Sequence, residues 1–157
     1  MTRRMTLGAV IVVLALFLPG PTRAGGFEDA RRIAEIAETS DLPGRLDICR
    51  SIIGGAPVPW ARTFCEGYAA LAAGNEAQAK AALEQTLVER SNFALGAILY
   101  GDLAAEKDRL ELAITFYNRA LEVQPDRVDA HFALGSVLFR LGQEKDSTYY
   151  TAALEAF

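Results

Sequence analysis

The chain has one histidine, His131, and two cysteines, Cys49 and Cys65, in 157 residues. A single imidazole cannot build a histidine-based metal site, and no cluster of metal-ligating residues stands beside it. The cysteines do not form a CxxC pair and carry no haem-attachment histidine. Basic runs are lacking too. Asp and Glu number 20 against 16 Lys and Arg. That balance argues against nucleic acid or anionic lipid as a partner. No stretch alternates apolar and polar residues, so no strand is expected. No glycine-rich loop follows a strand, so a phosphate cradle is not expected either. Carboxylates such as Glu28, Asp29 and Glu111 are scattered over helix faces and read as solvated. His131 reads as a capped or core-edge side chain. The inventory therefore predicts no enzyme, no catalytic residue, no metal and no cofactor.

Long apolar runs are also scarce. The longest, Leu7–Leu18, is interrupted only by Gly8. Twelve residues cannot cross a hydrocarbon layer of about 30 Å as a helix. Arg3 and Arg4 precede the run, Pro19-Gly20-Pro21 breaks it, and Thr22-Arg23-Ala24 places small residues at the positions before a cut. This is the anatomy of a secretory signal peptide spanning 1–24, with a mature chain from Gly25. No cysteine follows the run, which sets a bacterial lipoprotein aside, and ordinary Sec-type export is expected. The location is then the periplasm or the medium; the alternative is an inner-membrane anchor that is never cut. Removing 1–24 takes away three arginines and no acids, which moves the formal charge from −4 to −7.

What the chain does have is a period. Gly67, Gly101 and Gly135 stand 34 residues apart. Ala79 and Ala113 keep the same interval, as do Leu87 and Leu121, and Pro57, Ser91 and Pro125. Gly74 and Gly142 are two periods apart, with Asp108 between them. A fixed period of this length means one supersecondary unit copied along the chain.

The stretch 94–127 carries Ala97-x2-Tyr100-Gly101-x2-Ala104, then Ala113-x3-Tyr117, Ala120 and Pro125. This pattern resembles the tetratricopeptide repeat (TPR), a helix–turn–helix unit of 34 residues. Gly101 and Ala113 are small where two antiparallel helices cross closely, and Tyr117 fills the groove beside them. Pro125 follows the second helix and cannot continue it. The copy at 60–93 opens on Trp60 and keeps Gly67, Gly74, Ala79 and Leu83 in register. The copy at 128–157 begins with Leu134-Gly135 and Gly142, then loses one residue before Tyr149-Tyr150. Residues 25–59 read as N-terminal helices or as a degenerate repeat, ending on Pro57 in the closing column. The resemblance implies an all-α fold: a right-handed solenoid of stacked antiparallel helix pairs.

Apolar spacing predicts helices at 27–38 and from Pro43 to Ile53, then pairs at 60–73 and 76–90, 92–106 and 109–123, 127–141 and 143–155. Asp41, Asn75, Ser91, Asp108 and Asp126 read as caps. In a stack of this kind Cys49 lies on the helix that packs against the one carrying Cys65. A Cys49–Cys65 disulfide is expected in an oxidising compartment, worth about 3 kcal/mol in the chain-entropy model.

The resemblance also implies a concave face lined by the first helix of each unit, where residues one period apart form ladders. These are Phe64, Ile98 and Phe132; Tyr68, Asp102 and Ser136; and Leu71, Ala105 and Phe139. None is Lys, Arg or Asn, so the basic clamp that some TPRs use for a terminal carboxylate is not expected. An apolar groove of Phe64, Tyr68, Leu71, Ile98, Asp102, Phe132, Ser136 and Phe139 suits an apolar or amphipathic segment of another protein. The same residues would otherwise pack between neighbouring first helices or be covered by the chain's own N-terminal helix. Tyr149, Tyr150, Leu154 and Phe157 close the sequence without a polar capping helix. The expected function is a periplasmic scaffold or adaptor, of the kind that assists assembly of envelope complexes. The alternative is a structural protein that self-associates through its uncapped end.

Overall fold

The structure is a computed structural model that describes residues 22–157. The apolar run and most of the expected signal peptide lie outside the described residues, although 22–24 form the first turn of a helix. Eight helices are seen among the described residues, and no strand. They are α1 Thr22–Glu38, α2 Leu42–Gly54, α3 Pro59–Ala72, α4 Glu76–Glu89, α5 Ala94–Glu106, α6 Leu110–Val123, α7 Val128–Glu144 and α8 Thr148–Ala156. Each consecutive pair packs antiparallel: α3 on α4, α5 on α6, α7 on α8. None of the described helices is long and apolar enough to cross a membrane.

The crossings explain the glycine column. A methyl group on Gly67 would lie closer than 3.0 Å to the Ala82 side chain on α4 and to the Tyr100 hydroxyl on α5. On Gly101 it would run into the ring of Tyr117 on α6, closer than 3.0 Å. The helices of a pair therefore touch backbone to side chain where the sequence has no side chain of its own. Tyr117 lies beside Gly101 and is buried.

The turn column is conformational. Gly74 has φ +88° and Asp108, one period later, φ +59°. Both take the left-handed turn that closes the first helix of a unit. Gly142 departs from the column. There α7 continues three residues longer than expected, to Glu144, and the ring of Tyr150 sits over Gly142 at 2.8 Å from where a Cβ would be. The residue missing from this copy is absorbed by running the helix on through the turn position.

Capping is sparser than the sequence predicts. Asp41 accepts a hydrogen bond from the Gly44 amide at 2.8 Å, and Asn75 accepts one from Gln78 at 3.1 Å. Ser91, Asp108 and Asp126 do not cap. The helices that follow them start at 94, 110 and 128, because one or two residues are spent on the turn. A tie not read from the sequence is made by Asp29 of α1. It is buried and accepts from the Val58 amide at 2.9 Å, just before α3.

The core runs along the stack. Phe64 packs on Tyr68, Phe93 and Tyr100, with ring centroids 5.2–5.9 Å apart, and Tyr100 packs edge-on against Phe116 at 5.4 Å. The Tyr100 hydroxyl donates to the Phe64 carbonyl at 2.7 Å, tying α5 to α3. Aromatic pairs of this geometry contribute about 0.5–1.5 kcal/mol each beyond their buried area. Arg90 lies over the Trp60 ring at 4.5 Å from its centroid, a cation–π contact that covers the edge of the cluster.

Curvature follows from unequal packing. The first helices touch one another directly, α3 on α5 and α5 on α7. The second helices α4 and α6 are bridged by an ion pair, Arg119 to Glu84 at 2.9 Å, and Lys145, just past α7, pairs with Glu111 of α6. The side lined by α3, α5 and α7 is therefore the tighter one. The N-terminal hairpin leans onto it, with α1 packing on α3 and α5 as well as on α2.

Candidate interaction site

The ladders read from the sequence divide in the structure. Phe64, Tyr68, Leu71 and Ile98 are buried in the core and present no groove. Phe64 is covered by Phe93, the last residue of its own unit, and by Tyr100 of the following one. On the other side α1 and its Ile33 and Ile36, both buried, close over α3 and α5. These four positions hold successive units together. The apolar groove expected through them is corrected accordingly.

Phe132 occupies the Phe64 register two periods on. It is 65% exposed, and its ring rests on Phe157 at 5.9 Å. Phe139 is also exposed and packs on Tyr150 at 5.3 Å. Together with Val128, Leu154 and Phe157 they leave apolar surface on α7 and α8. Ser136 is half-buried and its hydroxyl donates to the Phe132 carbonyl at 2.8 Å, so it is spent within its own helix.

Asp102 is where the ladder meets open space. It lines a cavity of about 420 Å³ between the N-terminal hairpin, α5 and α7. Its floor is Leu99, Ala105 and Ile36; Ser40 and Thr39 stand at the hairpin tip; Arg45, Glu106, Tyr117 and Arg140 complete the wall. The volume lies in the range of small-ligand and peptide-anchor sites, about 300–1,000 Å³.

The polar groups of this wall are arranged in pairs. Arg45, only 6% exposed, donates to Glu106 through both terminal nitrogens, with Nη1 to Oε1 at 2.9 Å. Its Nε is buried without a partner among the described residues. The Arg45 guanidinium is held above its ordinary pKa, first by the hydrogen bond to Glu106. Arg140 donates to Asp108 at 2.9 Å and to the Ala105 carbonyl at 3.3 Å. The Tyr117 hydroxyl donates to Asp102 Oδ1 at 2.7 Å. Burial pushes the Asp102 carboxyl above the usual carboxylate range, and the Tyr117 hydrogen bond offsets only part of that shift. Burial likewise raises the Tyr117 and Tyr68 phenols, so both stay protonated; Tyr68 accepts from Arg45 Nη1 at 3.4 Å.

Periodicity alone did not disclose this site. Arg45 and Ser40 lie in the N-terminal hairpin, outside the repeats that were aligned, and reach α5 only because the hairpin folds over it. The signal that was legible was Asp102 itself, an acid in an otherwise apolar helix.

Cys49 and Cys65 meet across α2 and α3, as that adjacency predicts, but as two buried free thiols. No bond joins them in this structure, and the expected disulfide is not supported. The hydrogen bond to Cys49, and then burial, raise the Cys65 thiol far above its ordinary pKa. The thiolate that disulfide exchange requires is thereby disfavoured in the folded state. His131 Nε2 lies 2.8 Å from the Pro125 carbonyl, at the turn before α7.

No curated protein matches the chain. A family model described as TPR repeat matches residues 101–142, from the Gly101 crossing to Gly142. TPR repeats generally mediate protein–protein interaction and are generally not enzymes. With helix pairs of the same build on either side of the matched stretch, the fold is an all-α TPR-type solenoid.

Proposed function

We propose that this chain is an exported adaptor that holds a segment of another protein against the inner side of its helical array, in the assembly of a cell-envelope complex. One observation carries the reading: the inner side retains an open cavity of about 420 Å³ after the N-terminal hairpin has filled the rest. The sequence motif at 1–24 supports export to the periplasm, with Gly25 as the mature N-terminus. A photo-reactive residue placed at Ser40 or Ala105 should crosslink a partner in the native compartment. One at Asn118, exposed beside the separate depression between α4 and α6, should not. Crosslinks from Asn118 alone would overturn the site. Intact mass of the exported protein tests the leader, and a membrane-bound product that retains 1–24 would refute it.

A second reading has its own observation. Val128, Phe132, Leu154 and Phe157 are between 65% and 80% exposed on α7 and α8. Self-association through this surface predicts a concentration-dependent mass by light scattering, abolished by Phe132→Ser with Leu154→Ser. A monomer at all concentrations would dismiss it.

A further inference from the structure

Among the charged groups in the wall of the inner cavity, Asp102 is singular. Both guanidiniums there already have a carboxylate: Arg45 has Glu106 and Arg140 has Asp108. Asp102 has no ion pair among the described residues. Its Oδ1 accepts from Tyr117, and no described donor reaches its Oδ2. The tyrosine hydroxyl fixes the carboxylate plane and leaves one oxygen free beside the cavity. Leu99, Ala105 and Ile36 line the same cavity and supply its apolar part.

We propose that this cavity takes the cationic side chain, lysine or arginine, of the partner segment, with Asp102 as its counter-ion. The inference rests on the adaptor reading and specifies what the partner brings. A half-buried carboxylate with one unpaired oxygen is better satisfied when a cation meets it. A long basic side chain matches both halves of the site. Its methylenes lie on Leu99, Ala105 and Ile36 while its charge reaches Asp102. A free metal ion would waste the apolar floor. A carboxylate ligand would face Asp102 and Glu106 with the two guanidiniums already committed. The excess of acid over base in the chain adds long-range attraction for a basic segment.

The test is a titration of the full isotope-labelled chain with three blocked pentapeptides, Gly-Gly-X-Gly-Gly, where X is lysine, norleucine or glutamate. Amide resonances of Leu99, Asp102 and Ala105 report. The lysine peptide should shift them saturably. The norleucine peptide, which keeps the methylenes and loses the charge, should bind roughly tenfold more weakly or less. The glutamate peptide should produce no saturable shift. Asp102→Asn keeps an oxygen for Tyr117 and should reduce lysine-peptide binding by a similar factor with no fall in melting temperature. Equal binding of the norleucine peptide, tighter binding of the glutamate peptide, or an unaltered Asp102→Asn titration would overturn the inference. In those cases a peptide still occupies the cavity and the adaptor reading stands. No shift with any of the three also overturns it, and the crosslinking from Ser40 and Ala105 then decides the adaptor reading by itself.

Discussion

Replacing the column glycines by alanine one at a time tests whether the 34-residue period is steric. Each change gains helix propensity, about 1 kcal/mol. Against that stands the methyl group's new neighbour. At Gly67 the neighbours are the Ala82 side chain and the Tyr100 hydroxyl. The first is fixed to the α4 backbone. The second is fully buried and bonded to the Phe64 carbonyl. At Gly101 the neighbour is the Tyr117 ring, buried and anchored to Asp102. Neither site yields without moving a helix, so overpacking costs about 1–3 kcal/mol. At Gly101 the ring's displacement also threatens its hydrogen bond, about 0.5–1.5 kcal/mol. The expected net losses are roughly 0–2 kcal/mol for Gly67→Ala and about 0.5–3.5 kcal/mol for Gly101→Ala. At Gly135 the nearest atoms, 2.8 Å away, belong to Phe157, which is largely exposed and can swing aside. Gly135→Ala should therefore be neutral or stabilising by up to about 1 kcal/mol. Urea denaturation followed by helical circular dichroism gives all three values, with unchanged slopes as the control for two-state behaviour. The double variant Gly67→Ala with Ala82→Gly should recover part of the loss. The same destabilisation at all three positions would refute the argument, because it would mean the column is not read by its neighbours.

Gly74→Ala should cost about 1–2 kcal/mol although no atom lies within 4 Å of the new methyl, since the site has φ +88°. Gly54→Ala, equally open but helical, should stabilise, and chemical melts of the pair separate backbone strain from crowding. Asp102→Asn should raise stability near neutral pH. The folded-state carboxyl is raised, so its contribution is fully present below the unfolded value of about 3.9 and is lost as pH rises through the folded value. The gap between variant and parent should open from pH 3 upward and then level off; a variant less stable than the parent at pH 7 would contradict this. Ellman's reagent should leave Cys49 and Cys65 unreacted in the folded protein and titrate two thiols on unfolding.

The helix pairs were legible because the residues that set them act locally or at a fixed period: Gly67 and Gly101 at crossings, Gly74 and Asp108 at turns, Asn75 at a cap. What was not legible is whether a ladder of equivalent residues faces solvent or a neighbour. Phe64 and Phe132 are the same position in the repeat, yet one is core and the other exposed. The difference lies in what comes next along the stack, and in a hairpin that folds back from outside the aligned repeats. Periodicity carries no information on either. For the same reason Arg45, which contributes most to the polar wall, was not singled out, and Asp102 was placed in an apolar groove rather than at the foot of a polar cavity.

The bond from Arg45 to Glu106 spans 61 residues and skips an entire unit. In a solenoid whose units touch only their neighbours, order propagates link by link and ends fray independently. Here α1 rests on α5, and the first hairpin is clasped to the last turn of that helix. Residues 22–106 are thus closed on themselves like a buckled strap, while α7 and α8 lie outside that closure. Amide exchange should show the buckle: protection lost as one block through α5, and lost earlier, at lower opening energy, beyond Val128.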